Sequence, residues 1–295
     1  MKEITALVSR NRKLFFKDKG MLFSSMITPV ILIVLYATFL ANVYKDSFVS
    51  ATKDMIDLPD KIINGTVAAQ LAAALLAVSC VTVTFCVNLT MVQDRASGAR
   101  KDFDVSPVSK TKIYIGYFLS TVLNSLMVNG TALALCLLYI LKMGWYMSAS
   151  DVIFVILDMI LLVLFGSTLS SIVSYPLKTQ GQLSAGTIVS AGYGFVCGAY
   201  MPISNFSSGL QKALSYLPGT YGTSLVKNHM LNGVYKEMAD TGLPPEAVTV
   251  IRNTLDCNPV FRGHVVGVPQ MYLIMAGSIV VFGAAYLLII MIRER

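Results

Sequence analysis

The sequence predicts an all-α polytopic membrane protein: six transmembrane helices, an N-terminal amphipathic interface helix, and short external or re-entrant helices before the last span. Three observations predict it. Of 295 residues, 55% are hydrophobic and only 13% charged, where a soluble domain carries about 25% charged residues. Six segments reach the ~20 predominantly apolar residues that a helical span needs. Lys and Arg are shared unequally between alternate loops, which sets orientation.

The six segments lie at 22–44 (with Met26, Pro29 and Leu35), 64–92, 113–141, 152–174, 183–202 and 269–292. The fifth is rich in Gly and Ser and is bounded by Pro202. The first follows a basic stretch, but its apolar run of roughly 20 residues is too long for the h-region of a cleaved signal peptide, so it reads as a span. With the N-terminus inside, the inner segments hold 14 Lys and Arg against 6 Asp and Glu, and the outer segments hold 9 of each. The excess places both ends and 93–112 in the cytoplasm, with 45–62 and 203–268 outside.

The net charge is +7. Its bases sit at the ends of apolar runs and do not make the basic face that nucleic acid requires, so the expected surroundings are a lipid bilayer and no nucleic acid. Four cysteines lie within apolar segments, and Cys257 alone falls in a long polar loop, which leaves no loop disulfide. With His229 and His264 as the only histidines and no CxxC, no metal set is expected.

Residues 3–16 form a separate element. At 100° per residue Ile4, Leu7, Val8, Leu14 and Phe15 share about a third of the circumference, with Lys2, Arg10, Lys13 and Lys17 opposite. This reads as a helix on the inner leaflet. Residues 203–268 are the longest non-spanning stretch. Their first half carries helical periodicity through Leu210, Leu214, Leu217, Tyr221 and Leu225, and their second half is more polar. Short helices are expected there, re-entrant where apolar, since irregular backbone at membrane depth must pack in protein or line a cavity.

The loop joining spans two and three runs Gln93-Asp94-Arg95-Ala96-Ser97-Gly98 and on to Val105-Ser106-Pro107-Val108-Ser109. It resembles the signature of the ABC-2 type permease family, an acidic-basic-acidic run, a Gly-Thr pair and then Val-Ser-Pro-Val-Ser. Asp94, Arg95, Gly98 and 105–109 match in register, while Ala96 and Ala99 depart from it. A second series, Gly198, Pro202, Leu210-Gln211, Pro218, Tyr221 and Leu231-Asn232-Gly233, is similar to the run that precedes the family's last span. With the six spans and the basic N-terminal helix, the resemblance covers nearly the whole chain.

The resemblance implies the permease half of an exporter powered by ATP and Mg on a separate ABC ATPase. Two ATPases and a second permease copy or paralogue would complete the complex, in a bacterial cytoplasmic membrane. The loop would be a coupling helix, with Asp94, Arg95, Gly98, Ser106 and Pro107 as its ATPase-coupling residues. No phosphate-binding G-x-x-x-x-G-K-[ST], zinc-protease spacing or nucleophile elbow is present, so no cofactor and no catalysis are expected on this chain.

Further candidates lie inside the spans. Asp158 is the one acid well within a span; it binds a cationic substrate, pairs within the bundle or snorkels outward. Thr121, Asn124, Ser125 and Asn129 form a polar stripe on span three that lines a pathway or joins helices. Tyr193 and Tyr200 offer polar-tipped aromatic contacts. Gly186, Ser190, Gly194 and Gly198, four apart, predict a close helix seam. Asn64-Gly-Thr and Asn205-Phe-Ser match glycosylation acceptors, which carry no weight in a bacterial membrane. Within this frame the expected cargo is a small amphipathic drug or antibiotic-like compound, with a lipid-linked glycan or peptide as the alternative. From another class, a channel or membrane-embedded enzyme would need no docking loop or would show paired ionisable groups within its spans.

Overall fold

A run of small residues decides which helix takes the centre. Residues 66–77 read Thr-Val-Ala-Ala-Gln-Leu-Ala-Ala-Ala-Leu-Leu-Ala, and small side chains let neighbouring backbones close in on all sides. In the computed structural model, which describes residues 2–35, 58–177, 188 and 192–293, this run lies in a 37-residue helix whose apolar window is 94% buried. The last helix is as apolar, but its window is only 17% buried. Its Leu273, Val280, Val281, Leu288 and Ile292 are large and exposed, as expected of a helix facing lipid.

The helices are α1 (Lys2–Lys17), α2 (Lys19–Leu35), α3 (Asp60–Ala96), α4 (Arg100–Asp104), α5 (Lys110–Met143), α6 (Ala149–Ser174), α7 (Ser208–Leu214), α8 (Pro218–Asp240), α9 (Pro245–Thr254) and α10 (Val268–Arg293). A two-residue antiparallel hairpin, Val260–Phe261 (β1) with His264–Val265 (β2), precedes α10. Among the described residues α3, α5, α6 and α10 are long and apolar enough to cross a membrane, and they contain the segments expected at 64–92, 113–141, 152–174 and 269–292. The segment at 22–44 begins in α2 and continues outside the described residues. Of the segment at 183–202, residues 192–196 are helical and the chain turns from 197 onward.

α3 is the hub, packed by α2, α5, α6 and α8. At ~1.5 Å per residue its length is about 55 Å, which overhangs a hydrocarbon core of about 30 Å at both ends. One overhang carries Asp94 and Arg95 into the basic end of the molecule. At the other, Gly65 meets the α5–α6 link, where a Cβ on Gly144 would stand 2.8 Å from the Lys61 carbonyl.

α1 does not keep its apolar stripe for lipid alone. Leu7, Asn11 and Phe15, spaced i, i+4, i+8, are buried, and α1 packs mainly on α5. A Cβ on Gly116 would lie 2.9 Å from that of Leu7, so a glycine there sets how closely α1 approaches. Asn11, in the middle of the stripe, donates to Ser120 Oγ at 3.2 Å. The exposure of Leu14 follows from this rotation of the buried face.

The segment before α10 differs most from expectation. α7 and α9 are short, but α8 is one 23-residue helix, buried against α3, α6 and α10. Pro218 occupies its first turn, where a missing N–H costs nothing. Its start lies deep, with Gly222 against Leu162 and Met275. Its far end reaches the α5–α6 link, where a Cβ on Gly233 would overlap the Tyr146 carbonyl. Thr220, Thr223, Ser224, Lys227 and Asn228 are all buried, so hydropathy conceals this helix although its packing is that of a core element.

Candidate functional site

At the basic end the first two charged residues of the loop after span two turn into the bundle. Asp94 is 7% exposed. Its Oδ2 and Oδ1 accept from Arg10 Nη1 at 2.6 Å and Nη2 at 3.0 Å, and Oδ2 also accepts from Tyr117 Oη at 2.6 Å. One carboxylate therefore ties α1, α3 and α5 together, in the forked geometry that makes Arg–carboxylate pairs strong. The bond to Asp94 holds the Arg10 guanidinium still further above its already high pKa. Arg10 also lies over the Phe103 ring of α4, 5.0 Å from its centroid.

Arg95 caps the end of α6. Its Nη1 donates to the carbonyls of Ser174 (3.4 Å), Tyr175 (2.5 Å) and Leu177 (3.1 Å), and its Nη2 to Tyr114 Oη (3.1 Å). The final carbonyls of a helix lack intrahelical partners and carry partial negative charge. Arg95 satisfies them while its guanidinium sits over the rings of Tyr114 and Tyr175.

Arg100 is also buried, its guanidinium 4.7 Å from the Tyr114 ring centroid, while the tip of the loop faces outward. Gly98 has φ +85, the left-handed turn that favours glycine. Beyond it Lys101 and Asp102 on α4, then Val105 and Pro107, are exposed, Val105 at 87%. Ser106 Oγ donates to the Phe103 carbonyl and accepts from Val108 N–H, closing the turn that leads into α5.

Towards the opposite end, Asp158 is 1% exposed and fully partnered. Its Oδ2 lies 2.6 Å from His229 Nδ1, and its Oδ1 accepts from Tyr272 Oη at 2.6 Å. An accepting carboxylate places the imidazole proton on Nδ1. Phe154 stacks on His229 with centroids 5.0 Å apart. Asp158 stands sixteen residues above the Ser174 carbonyl held by Arg95, about 24 Å along the helix. In this conformation it joins α6, α8 and α10 and does not snorkel.

A second buried charge lies on the other face of α8. Lys227, 0% exposed, donates from Nζ to the Gly198 carbonyl at 2.9 Å and sits 3.6 Å from Asp256 Oδ2. Ser224 Oγ donates to the Asp256 carbonyl, and Asn228 Nδ2 to that of Cys257. A buried charge survives when it is paired and hydrogen-bonded, as it is here.

The polar stripe on α5 joins helices at two points. Ser79 Oγ donates to Asn129 Oδ1 at 2.7 Å, and Thr121 Oγ1 to Asn88 Oδ1 at 3.4 Å. Asn124 is buried with neither amide atom bonded among the described residues. Tyr193 is buried with its ring against Gly219 of α8. Gly186 and Ser190 lie outside the described residues. The expected seam fails at its far end: Gly198 has φ +72 and leaves the helix, and Tyr200 fills the space beside Gly194. A four-residue spacing means one helix face only while the helix continues, and this one ends near 196.

Sequence spacing did not reveal Arg10, Tyr114, Tyr117, His229, Tyr272 or Lys227 as partners, because each contact joins helices far apart in the chain. The usable signal was scarcity: His229 is one of only two histidines, and Asp158 the one acid well within a span.

Apolar helices around a buried hub, with internally paired charges and a clamped, exposed loop at one end, define a multi-pass membrane transport domain. A family model described as ABC-2 family transporter protein matches residues 57–292. The chain belongs to that family, whose members are membrane transport components that generally work with ABC ATPase subunits and are not themselves catalytic. No curated protein and no solved structure matches it.

Proposed function

We propose that this chain is the permease subunit of an ABC exporter and that its ATPase partner seats on α4 and the turn through Pro107. The observation that carries this reading is a loop exposed at its tip and clamped at its root. Lys101, Asp102, Val105 and Pro107 face outward, while Asp94 and Arg95 are bound to α1, α5 and α6. Rigidity at the root lets force delivered at the tip reach several helices together. Asp94 and Arg95 then act by locking the loop, and the surface behind Val105 supplies the contact. A load on α4 would pass through Phe103 and Arg10 to α1, through α3 to the hub, and through Arg95 to the end of α6.

Two permeases and two ATPases would make the complex, with ATP and Mg bound on the ATPases. The basic end faces the cytoplasm of a bacterial cell, following the Lys and Arg excess. The cargo is a small amphipathic compound, because residues 203–268 fold onto the bundle through α8 and leave no separate domain for a glycan chain. The test is purification of the tagged chain from its native membranes in mild detergent. An ABC ATPase at one copy per permease is expected; an intact, folded permease that never carries one would overturn the proposal.

A further inference from the structure

At the end opposite the clamp, α7, the start of α8 and the β1–β2 hairpin enclose a cavity of about 490 Å³, within the usual range for small-molecule sites. One wall is apolar, from Ile203, Pro259, Val260 and Val265; another is polar, from Ser204, Ser208, Gln211 and Ser215. Lys212 and Arg262 stand at the lining, and both are exposed. Val265 is three residues from the first residue of α10, so the hairpin side of the cavity lies beside the start of a spanning helix.

The charges do not cancel. Asp256 also lines the cavity, but its Oδ2 accepts from Ile203 N–H at 2.7 Å and faces Lys227 Nζ at 3.6 Å. Lys212 makes no ion pair among the described residues. Arg262 Nε donates to Tyr216 Oη at 3.3 Å, and its guanidinium lies 5.9 and 5.4 Å from the ring centroids of Tyr216 and Phe261. The aromatic pair thus fixes the guanidinium, and its two Nη groups make no hydrogen bond to any described residue. An oriented guanidinium with free Nη groups matches a phosphate in charge and geometry.

The backbone points to the same place. Among the described residues only Asp256 (φ 56) and Arg262 (φ 49) have positive φ without being glycine, and both line this cavity. Arg262 and Gly263 (φ 86) form the two central positions of the hairpin, where Asn-Gly is the favoured pair. An arginine carries a steric penalty at that position, and strain of this kind clusters at functional sites.

We propose that this cavity binds a phosphate headgroup, with Lys212 and Arg262 holding the anion and the Val260 and Val265 wall taking the adjoining apolar part. The phosphate belongs to a lipid-like amphiphile or to a free phosphate compound. Binding needs no ATPase partner; only its assignment to the outer leaflet rests on the orientation proposed above.

The test uses the full chain in neutral detergent, titrated with dioctanoylphosphatidylglycerol, dioctanoylphosphatidylcholine and glycerol 1-phosphate. Because bases elsewhere also attract anions, the comparison is between wild type and variants. Lys212→Gln with Arg262→Gln should weaken phosphatidylglycerol binding tenfold or more and weaken phosphatidylcholine, whose choline offsets the phosphate charge, by less. Val265→Trp, which fills the cavity and keeps both charges, should weaken phosphatidylglycerol equally. Both variants alter exposed residues, and unchanged thermal unfolding would confirm an intact fold. If glycerol 1-phosphate alone binds and depends on the same residues, the ligand is a free phosphate compound and the site stands. Unchanged affinity for both phosphates in the double variant would overturn the site, and so would full binding in Val265→Trp, since the anion would then sit on open surface.

Discussion

Substitution of Asp158 by Asn and by Leu should give two very different proteins. The Asn Oδ1 still accepts from Tyr272 Oη, and once the imidazole proton moves to Nε2 the Asn Nδ2 donates to His229 Nδ1, so both partners at 2.6 Å stay occupied. Polar contacts between membrane helices average about 0.6 kcal/mol and reach about 1.7 in double-mutant cycles; the cost of Asp158→Asn should therefore be ~1 kcal/mol or less. Leu has the same branched shape but is larger, and it strands the imidazole Nδ1 and the phenol hydroxyl. Each stranded buried group costs roughly 1–3 kcal/mol. Because the His229 side chain is 12% exposed and Tyr272 half-buried, the lower half of that range applies, ~2–4 kcal/mol in total. Thermal unfolding of the purified chain in one detergent ranks wild type, Asn and Leu. Adding His229→Leu to Asp158→Leu should cost less than the two single changes summed, because contacting residues couple by about 0.5–3 kcal/mol. A Leu variant as stable as wild type, with additive single changes, would refute the view that this carboxylate holds α6, α8 and α10 together.

Three further outcomes follow from the packing. Gly233→Ala should lower stability by ~1–3 kcal/mol, the usual cost of overpacking, because its Cβ would overlap the Tyr146 carbonyl; Gly130→Ala, with nothing within 4 Å of its Cβ, should be neutral or raise it by up to about 1 kcal/mol. Unfolding midpoints of the two would show it, and equal loss in both would contradict the α8 contact. In intact cells an impermeant maleimide should label Asp240→Cys, which is exposed, and spare native Cys257, which is buried and whose thiol pKa burial pushes up; labelling at 240 only after permeabilisation would reverse the orientation. Arg10→Ala should destabilise the chain by ~1.5–3 kcal/mol, the range for charge-assisted bonds, since it leaves buried Asp94 with Tyr117 alone; calorimetry showing no loss would contradict the clamp.

Much of the scaffold was legible in the sequence because it depends on local runs. Four apolar runs became α3, α5, α6 and α10, and Gly98, with its positive φ, is a residue of the loop motif. α8 was legible only as a periodicity up to Leu225 and the Leu231-Asn232-Gly233 series. Its buried polar residues mask it from hydropathy, and its roles appear only with its neighbours: Asn232 Nδ2 donates to Asp151 Oδ1 at 2.7 Å, and Tyr221 Oη to the Ser215 carbonyl at 2.6 Å. The hub position of α3 was readable in its alanines, though only by comparison with the bulky α10. The partners of Asp94 and Asp158 were not readable, since Arg10 and Tyr272 lie 84 and 114 residues away from them along the chain and no spacing rule spans such distances.

The most direct test of the central claim is parallel measurement of ATP hydrolysis and substrate export in proteoliposomes holding the chain and the ABC ATPase proposed to partner it. The decisive variant changes only the exposed tip of the loop: Lys101→Ala, Val105→Ala and Pro107→Gly, leaving Asp94 and Arg95 intact. The account predicts a permease that inserts and unfolds like wild type, with weakened ATPase association or with hydrolysis that no longer drives export. Wild-type association, hydrolysis and export in this triple variant would contradict it.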